Sequence, residues 1–221
     1  MQQNPRPAGV SDSTAPSARE RIDRSAYELF SRRGTRAVGI DEVVECSGVA
    51  KMTLYRHYAS KEDLVIAFLR QRAQRWTRDW LQSGVERRGG PAAERLLAIF
   101  DLFDAWFRRE GFEGCAFINV MLEYAEHQHP VRRAAVGHLA EIRAFLRGLA
   151  AEAGAEDPDA LARQWHILMK GCIVAACEGD VDAARRARDV ARLLLPPTGA
   201  RRGVKVKRGP DRRAACAASP H

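Results

Sequence analysis

The side chains best suited to chemistry in this chain lie between residues 51 and 61. Lys51, Met52, Thr53, Tyr55, Arg56 and His57 fall within seven consecutive positions, and Lys61 follows four later. Together they supply two amines, a thioether, a hydroxyl, a phenol, a guanidinium and an imidazole, and no carboxylate interrupts residues 51–57. Such a set binds acceptor-rich and anionic surfaces. Lys51 can reach guanine O6 or N7 and Met52 can touch a thymine methyl, while the hydroxyl and cationic groups can hold phosphate oxygens. No catalytic arrangement competes with this reading, because the chain contains no GxSxG, HExxH, P-loop or GxGxxG spacing.

To reach a major groove these residues need a short helix that shows one face to solvent. Val49 and Leu54 anchor the opposite face. Val43 and Val44 give the preceding helix its apolar side, and Gly48 supplies the left-handed residue that ends it. The stretch therefore reads as a helix-turn-helix, with Asp41 expected to cap the first helix. Ser60, with Asp63 three residues on, opens the next helix. Lys61 sits in that helix's first turn, where the macrodipole disfavours a cation unless both hold the same phosphate. Leu54 and Tyr58 are four apart, so Tyr58 is expected to pack. Upstream, Ser17 and Glu20 have capping-box spacing, Ile22, Ala26, Leu29 and Phe30 recur at helical intervals, and Gly34 closes that helix. Arg32, Arg33 and Arg36 cluster at its end, as a solvated surface or as further phosphate contacts.

Downstream, a helix from Lys61 to about Trp80 joins this head to a larger body, with breaks expected at Ser83-Gly84 and at Gly89-Gly90-Pro91. Leu96, Ile99, Phe100, Phe103 and Phe107 mark a fifth helix, and Cys115 to Tyr124 a sixth. Pro130 starts the seventh, Asp157-Pro158 the eighth, and the ninth covers Asp182 to Leu195 before Pro196-Pro197. The fold class is thus all-α, nine helices in two domains: a three-helix head over 17–64 and a helical body over 65–197. Residues 1–16 and 198–221 lack large apolar groups and read as a disordered arm and a basic disordered tail.

Of the 221 residues 46% are hydrophobic, enough for a sizeable core, and the net charge is +8. That charge is uneven: residues 19–75 carry 12 Lys/Arg against 8 Asp/Glu and residues 201–221 carry 7 against 1, which leaves the middle slightly acidic. An anionic partner docking at one end fits this distribution. Five cysteines without CxxC spacing read as reduced thiols, and neither a signal peptide nor a membrane-length apolar run is present. A cytoplasmic location is expected, with no membrane partner and no cofactor.

Gly48-Val49 followed by Thr53-Leu54-Tyr55-Arg56-His57-Tyr58-Ala59-Ser60-Lys61-Glu62-Asp63-Leu64 resembles the tetracycline-repressor (TetR) family of bacterial regulators. The start of the sixth helix at Gly114-Cys115-Ala116-Phe117-Ile118-Asn119 and the break near 84–91 are also similar to many members. The resemblance implies that Lys51, Met52 and His57 fall where bases are contacted, and Thr53, Tyr55 and Lys61 where the phosphate backbone is held. Where the family commonly has Thr or Ser this chain has Val38 and Gly39, which removes the usual hydroxyl contact to phosphate. A double-stranded DNA operator, a small-molecule effector and a homodimer paired through about 158–195 are implied as partners. The body would then bind the ligand and form the dimer, and the protein would be a repressor released from a palindrome. For the pairing, Gly171, Ala175 and Ala176 with Ala183, Ala184, Ala187 and Ala191 are expected to let helices of two subunits approach closely.

Within the body, Trp80, Phe103, Phe107, Phe117, Tyr124, Trp165 and Met169 are candidates to wall an effector pocket, although each also suits an ordinary helical core. Asn119, Glu123, His127 and His166 are candidate polar groups within it, so the effector is expected to be largely apolar. Asn119, Glu123 and His127 lie at intervals of four on the expected sixth helix and would share a face, either toward solvent or toward the pocket; the inward orientation is expected here. Glu123, His127, His129 and His138 match no metal-ligand spacing. A helical enzyme would need a catalytic cluster that the sequence lacks, so the rival reading is a ligand-independent DNA-binding or architectural protein.

Overall fold

The computed structural model describes residues 15–196. The expectations of a disordered arm and a disordered tail therefore lie outside the described residues, apart from Ala15 and Pro16. Among the described residues the chain is all-helical and contains no strand. α1 spans Ala18–Arg33, α2 Ile40–Ser47 and α3 Lys51–His57. Three consecutive segments, Lys61–Arg72, Ala73–Gln82 and Ser83–Arg88, run on without interruption as one rod, α4. The body continues with α5 Ala92–Phe107, α6 Ala116–Glu123, α7 Pro130–Glu152, α8 Pro158–Cys177 and α9 Ala183–Leu194, nine helices among the described residues.

The local signals explain most boundaries. Ser17 Oγ accepts from the Glu20 amide at 3.3 Å and Glu20 Oε2 accepts from the Ser17 amide at 2.7 Å, which closes the capping box of α1. Gly48 adopts φ +63°, and its amide donates to the carbonyls of Val44 and Glu45, turning the chain from α2 into α3. Asp157 Oδ1 caps α8 by accepting from the Asp159 and Ala160 amides at 3.1 and 3.0 Å. At α2 the expectation fails. Gly39 is the N-cap, and Glu42 Oε1 accepts from its amide at 3.0 Å. Asp41 comes too late in the register to cap, and its carboxylate instead meets Lys51 Nζ at 2.7 Å.

The expected break at Ser83-Gly84 is likewise absent, since α4 continues to Arg88. Gly84 serves close packing: a Cβ there would lie 2.9 Å from Leu102 Cδ1 on α5. The middle of α4, Ala73–Gln82, is a π-helix. Such segments are rare and recur at functional sites, because the wider turn redirects side chains that an α-helix would place elsewhere.

One hydrophobic core runs from head to body. Phe30 on α1 meets Phe68 on α4 edge to face at 5.6 Å, and Phe100 on α5 meets Trp165 on α8 at the same separation. Each such buried ring contributes about 1.5–3 kcal/mol. α8 packs between α7 and α9, and α9 also lies along α5. The alanines of α9 form that last seam: Ala183, Ala184, Ala187 and Ala191 are buried within the subunit. They do not provide the intersubunit surface expected of them. Salt bridges from Arg188 to Asp101 at 2.9 Å and from Arg185 to Asp104 at 3.2 Å border the seam.

Candidate nucleic-acid interface and body cavity

α3 divides its side chains cleanly. Leu54 is fully buried and Tyr58 nearly so, with the Tyr58 hydroxyl donating to Asp23 and its ring beneath the Arg19 guanidinium. Tyr58 thus packs, as its spacing from Leu54 indicated. Lys51, Met52, Tyr55, Arg56 and His57 are exposed, and Thr53 is half-buried. Met52, an apolar side chain, leaves 69% of its surface in water, which the fold alone does not require. Asp41 raises the pKa of the Lys51 amine by hydrogen bond and charge. Because both partners are mostly exposed, water screens the pair and a stronger acceptor can replace it.

Behind α3 the head is braced by charge. Arg33 pairs with Glu42, and Arg21 Nη1 donates to the Gly48 carbonyl at 3.4 Å. Lys61, at the start of α4, donates to the Arg36 carbonyl at 3.4 Å. Val38 is fully buried and Gly39 caps α2, so neither reaches outward.

The loop between α1 and α2 is held from the body. Glu123, the last residue of α6, accepts from the amide of Thr35 at 3.0 Å, from its hydroxyl, and from the amide of Arg36 at 3.1 Å. Thr35 is fully buried, and at Gly34, φ +80°, a Cβ would collide with the Glu123 carboxylate. Arg36 also stacks over Tyr124, 5.4 Å from the ring centroid. This clasp between two domains gives no signal in the sequence, because the acid and its donors are 87 and 88 residues apart.

That contact overturns the expected inward face of the sixth helix. α6 ends at Glu123, Tyr124 has left helical geometry at φ −108°, ψ 93°, and His127 lies exposed in the following turn. Asn119 is exposed and leans toward the Glu113 carbonyl at 3.5 Å. Asn119 and Glu123 do share an open groove of about 690 Å³ with Arg32, Arg33 and Arg72, but His127 does not join them. Among the described residues no group of three or more His, Cys, Asp or Glu gathers as a metal site.

The other pocket candidates are distributed over the body. Trp80 stacks on Phe103 at 6.2 Å, within an aromatic cluster that includes Trp76, Trp106 and Phe107. Phe117 covers His138 at 5.2 Å, and Tyr124 meets His129 at 4.5 Å. Trp165 is fully buried, and its indole N–H has no partner. A second groove, about 330 Å³, is lined by Tyr27, Arg72, Arg75, Trp76, Trp80 and Trp106. A small cavity, about 10 Å³ and lined by apolar surface, is bounded by Trp76 of α4, Cys115 just before α6, Ile118 of α6, and His166, Met169 and Lys170 of α8. Burial, then the charges of Lys170 and Arg143, depress the His166 pKa to about 3, and His166 Nδ1 is buried with no partner. Sequence reasoning marked His166 and Met169 but missed Cys115 and Lys170. A lone lysine inside the apolar run 167–174 was the available signal.

Comparison with known proteins agrees with this geometry. Residues 22–68 match the family model for bacterial regulatory proteins of the tetR family, and residues 92–191 match that for the tetracyclin repressor-like C-terminal domain. The HTH-type transcriptional regulator YjdC of Escherichia coli is 24% identical over 183 residues, 79% of this chain and 94% of its own. The transcriptional regulator AcuR of Cereibacter sphaeroides is 27% identical over 179 residues, 77% of this chain and 80% of its own. Among solved structures, SCO4454, a TetR-family transcriptional regulator from Streptomyces coelicolor, superposes with a TM-score of 0.74 at 30% identity, covering 80% of this chain and 94% of its own. With two matching family models, relatives that are themselves regulators, and an outward-facing recognition helix in a braced three-helix head, the chain belongs to the TetR family of DNA-binding transcriptional regulators.

Proposed function

We propose that this protein is a homodimeric repressor that holds a palindromic operator and is released from it by a small molecule bound in the body. The observation that carries this reading is the outward face of α3, on which Lys51, Met52, Tyr55, Arg56 and His57 stand exposed above a buried Leu54. Lys51, Met52 and His57 meet base edges, and Thr53, Tyr55 and Lys61 hold phosphates on either side. Residues 17–64 form the DNA-binding domain and residues 65–197 the effector and dimer domain. A chromosomal operator places the protein in the cytoplasm.

Dimer pairing is supported by apolar side chains left in water on the last two helices. Ile167 and Leu193 are 67% and 84% exposed, and Val174 and Val190 are each 48% exposed. Ile167, Gly171 and Val174 share one face of α8 by helical spacing. Exposed apolar side chains on two neighbouring helices suit a partner surface.

Release needs a route from body to head, and two elements offer one. α4 runs through both domains, and its π-helical stretch borders the cavity through Trp76. α6 contributes Ile118 to the cavity, beside its N-cap Cys115, and the Glu123 clasp at its end. A ligand that shifts α6 therefore acts on the loop that sets α2 and α3. Coupling of this kind is a difference in ligand affinity between two head arrangements.

The test is footprinting on DNA fragments selected from genomic sequence. A discrete palindromic footprint, lost on Ile167→Glu together with conversion to monomers, supports the proposal. Smeared protection without symmetry would show an architectural protein instead.

A further inference from the structure

Two arginines of α4 flank one tyrosine of α1 where the head meets the body. Arg72 Nη1 donates to the Tyr27 hydroxyl at 3.0 Å, and its guanidinium lies 5.7 Å from the ring centroid. The Arg75 guanidinium lies over the same ring at 4.5 Å. Among the described residues neither guanidinium comes within ion-pair distance of a carboxylate. Both line the open groove of about 330 Å³, together with the indoles of Trp76, Trp80 and Trp106. Arg109 and the carboxylates Glu110 and Glu113 also border it. Arg72, Phe112 and Glu113 line the larger groove of about 690 Å³ as well, so the two grooves meet at Arg72.

We infer that this groove takes an aromatic carboxylate, with the acid on Arg72 and Arg75 and the ring against the indoles. The inference rests on the effector role proposed for the body and names the site and chemical class of the effector. A guanidinium carries five N–H donors in one plane, and Arg72 uses one of them on Tyr27. That bond holds the half-buried Arg72 in place, so its remaining donors form a fork oriented in advance. A carboxylate accepts two parallel N–H bonds from such a fork. Arginines outnumber glutamates in the lining only by three to two, so charge alone decides little. Placement decides more: the two arginines stand together on one ring, whereas Glu110 is exposed to water. The volume lies within the range of about 300–1,000 Å³ that suits small organic ligands. Three indoles and Phe112 give a flat ring apolar faces and edges to pack on.

The position also connects an occupant to the head. Tyr27 belongs to α1 and Arg72 to α4, so their hydrogen bond crosses from head to body. A carboxylate competes with the Tyr27 oxygen for Arg72 and loosens that contact. Through the larger groove the same site adjoins Ala116 and Asn119 of α6, and that groove extends to Gly34 and Glu123 of the clasp.

The experiment titrates the full-length protein, without DNA, with 3-phenylpropanoate, 3-phenylpropanamide and 3-phenylpropylamine, read by calorimetry and indole fluorescence. The three ligands share a ring and a chain length and differ in charge. The acid should bind saturably and quench the indoles, and the amide and the amine should bind about tenfold or more weaker. Arg72→Gln should weaken the acid by a similar factor and bring it level with the amide. Equal binding of acid and amide, tighter binding of the amine, no binding of the acid, or unaltered acid binding in Arg72→Gln would overturn the inference. If Arg72→Gln fails to fold by circular dichroism, Arg75→Gln, at an exposed side chain, takes its place with the same two outcomes. Because no DNA is present, failure here leaves the regulator reading intact, and failure of footprinting leaves this result intact.

Discussion

The head and the body each hold a lysine close to imidazole and aromatic side chains, under opposite conditions. Lys51 on α3 stands in water, paired with Asp41 at 2.7 Å, and that carboxylate raises its pKa. Lys170 on α8 is half-buried with no carboxylate partner among the described residues, and burial lowers its pKa. An exposed amine can act on a polyanion only through screened, exchangeable contacts, of which many are needed. A half-buried amine carries a desolvation cost that a single partner charge would offset. The difference lies in solvation: the same residue type is left to water in the first place and is partly withdrawn from it in the second.

The contrast breaks most severely if the body is not dry. Phe103→Ala, at a fully buried ring in the aromatic cluster, should cost about 3–5 kcal/mol. Met52→Ala on the wet face of α3 should change stability by less than about 0.5 kcal/mol while altering DNA sequence preference. Chemical denaturation of both variants, beside selection of preferred sites, checks the pair. Similar losses of stability would erase the distinction.

Acid should reveal the body before the head. The folded-state pKa of His166, about 3, lies below that of an unfolded histidine, so between about pH 6.5 and 3 the unfolded chain binds a proton that the folded chain refuses. The stability that His166 contributes is complete above that window and declines as pH falls through it. His166→Gln should flatten that part of the stability–pH curve; an unchanged curve would place His166 in contact with water.

Glu123 links the two regions, and its removal sharpens the comparison. Glu123→Ala leaves the Thr35 and Arg36 amides without their acceptor and should cost on the order of 1–3 kcal/mol. Hydrogen exchange should quicken at residues 34–36 while α8 amides keep their protection. Uniform quickening would mean that the clasp supports the whole fold and not the junction.

The smallest effects belong to single cations of the head. Lys51→Ala should relax preference at one base pair by about 1–3 kcal/mol. Lys61→Ala should weaken all sequences alike and make the salt dependence shallower by about one unit. Binding isotherms on specific and random DNA at several salt concentrations separate the two. Equal losses on both DNAs for both variants would remove the division of labour within α3 and α4.

The sequence by itself determined the helices and the recognition face. Capping at Ser17 and Asp157, the turn at Gly48 and the period of Leu54 and Tyr58 act within a few residues, and short-range backbone and burial preferences are readable in order along the chain. The same logic failed where distance along the chain separates the partners. Gly84 looks like a breaker until Leu102 is seen to lie against it, and the π-helical stretch of α4 follows no local spacing. The alanines of α9 suit any close helix contact, and only packing shows that theirs is with α5 and α8 of the same subunit. Glu123 has a polar side chain that could face solvent, a pocket or another domain. Tertiary structure placed it against Thr35, because satisfying a buried backbone donor depends on which groups meet in space. The small cavity beside His166 and Lys170 is likewise a property of four helices brought together, and no one of them carries it alone.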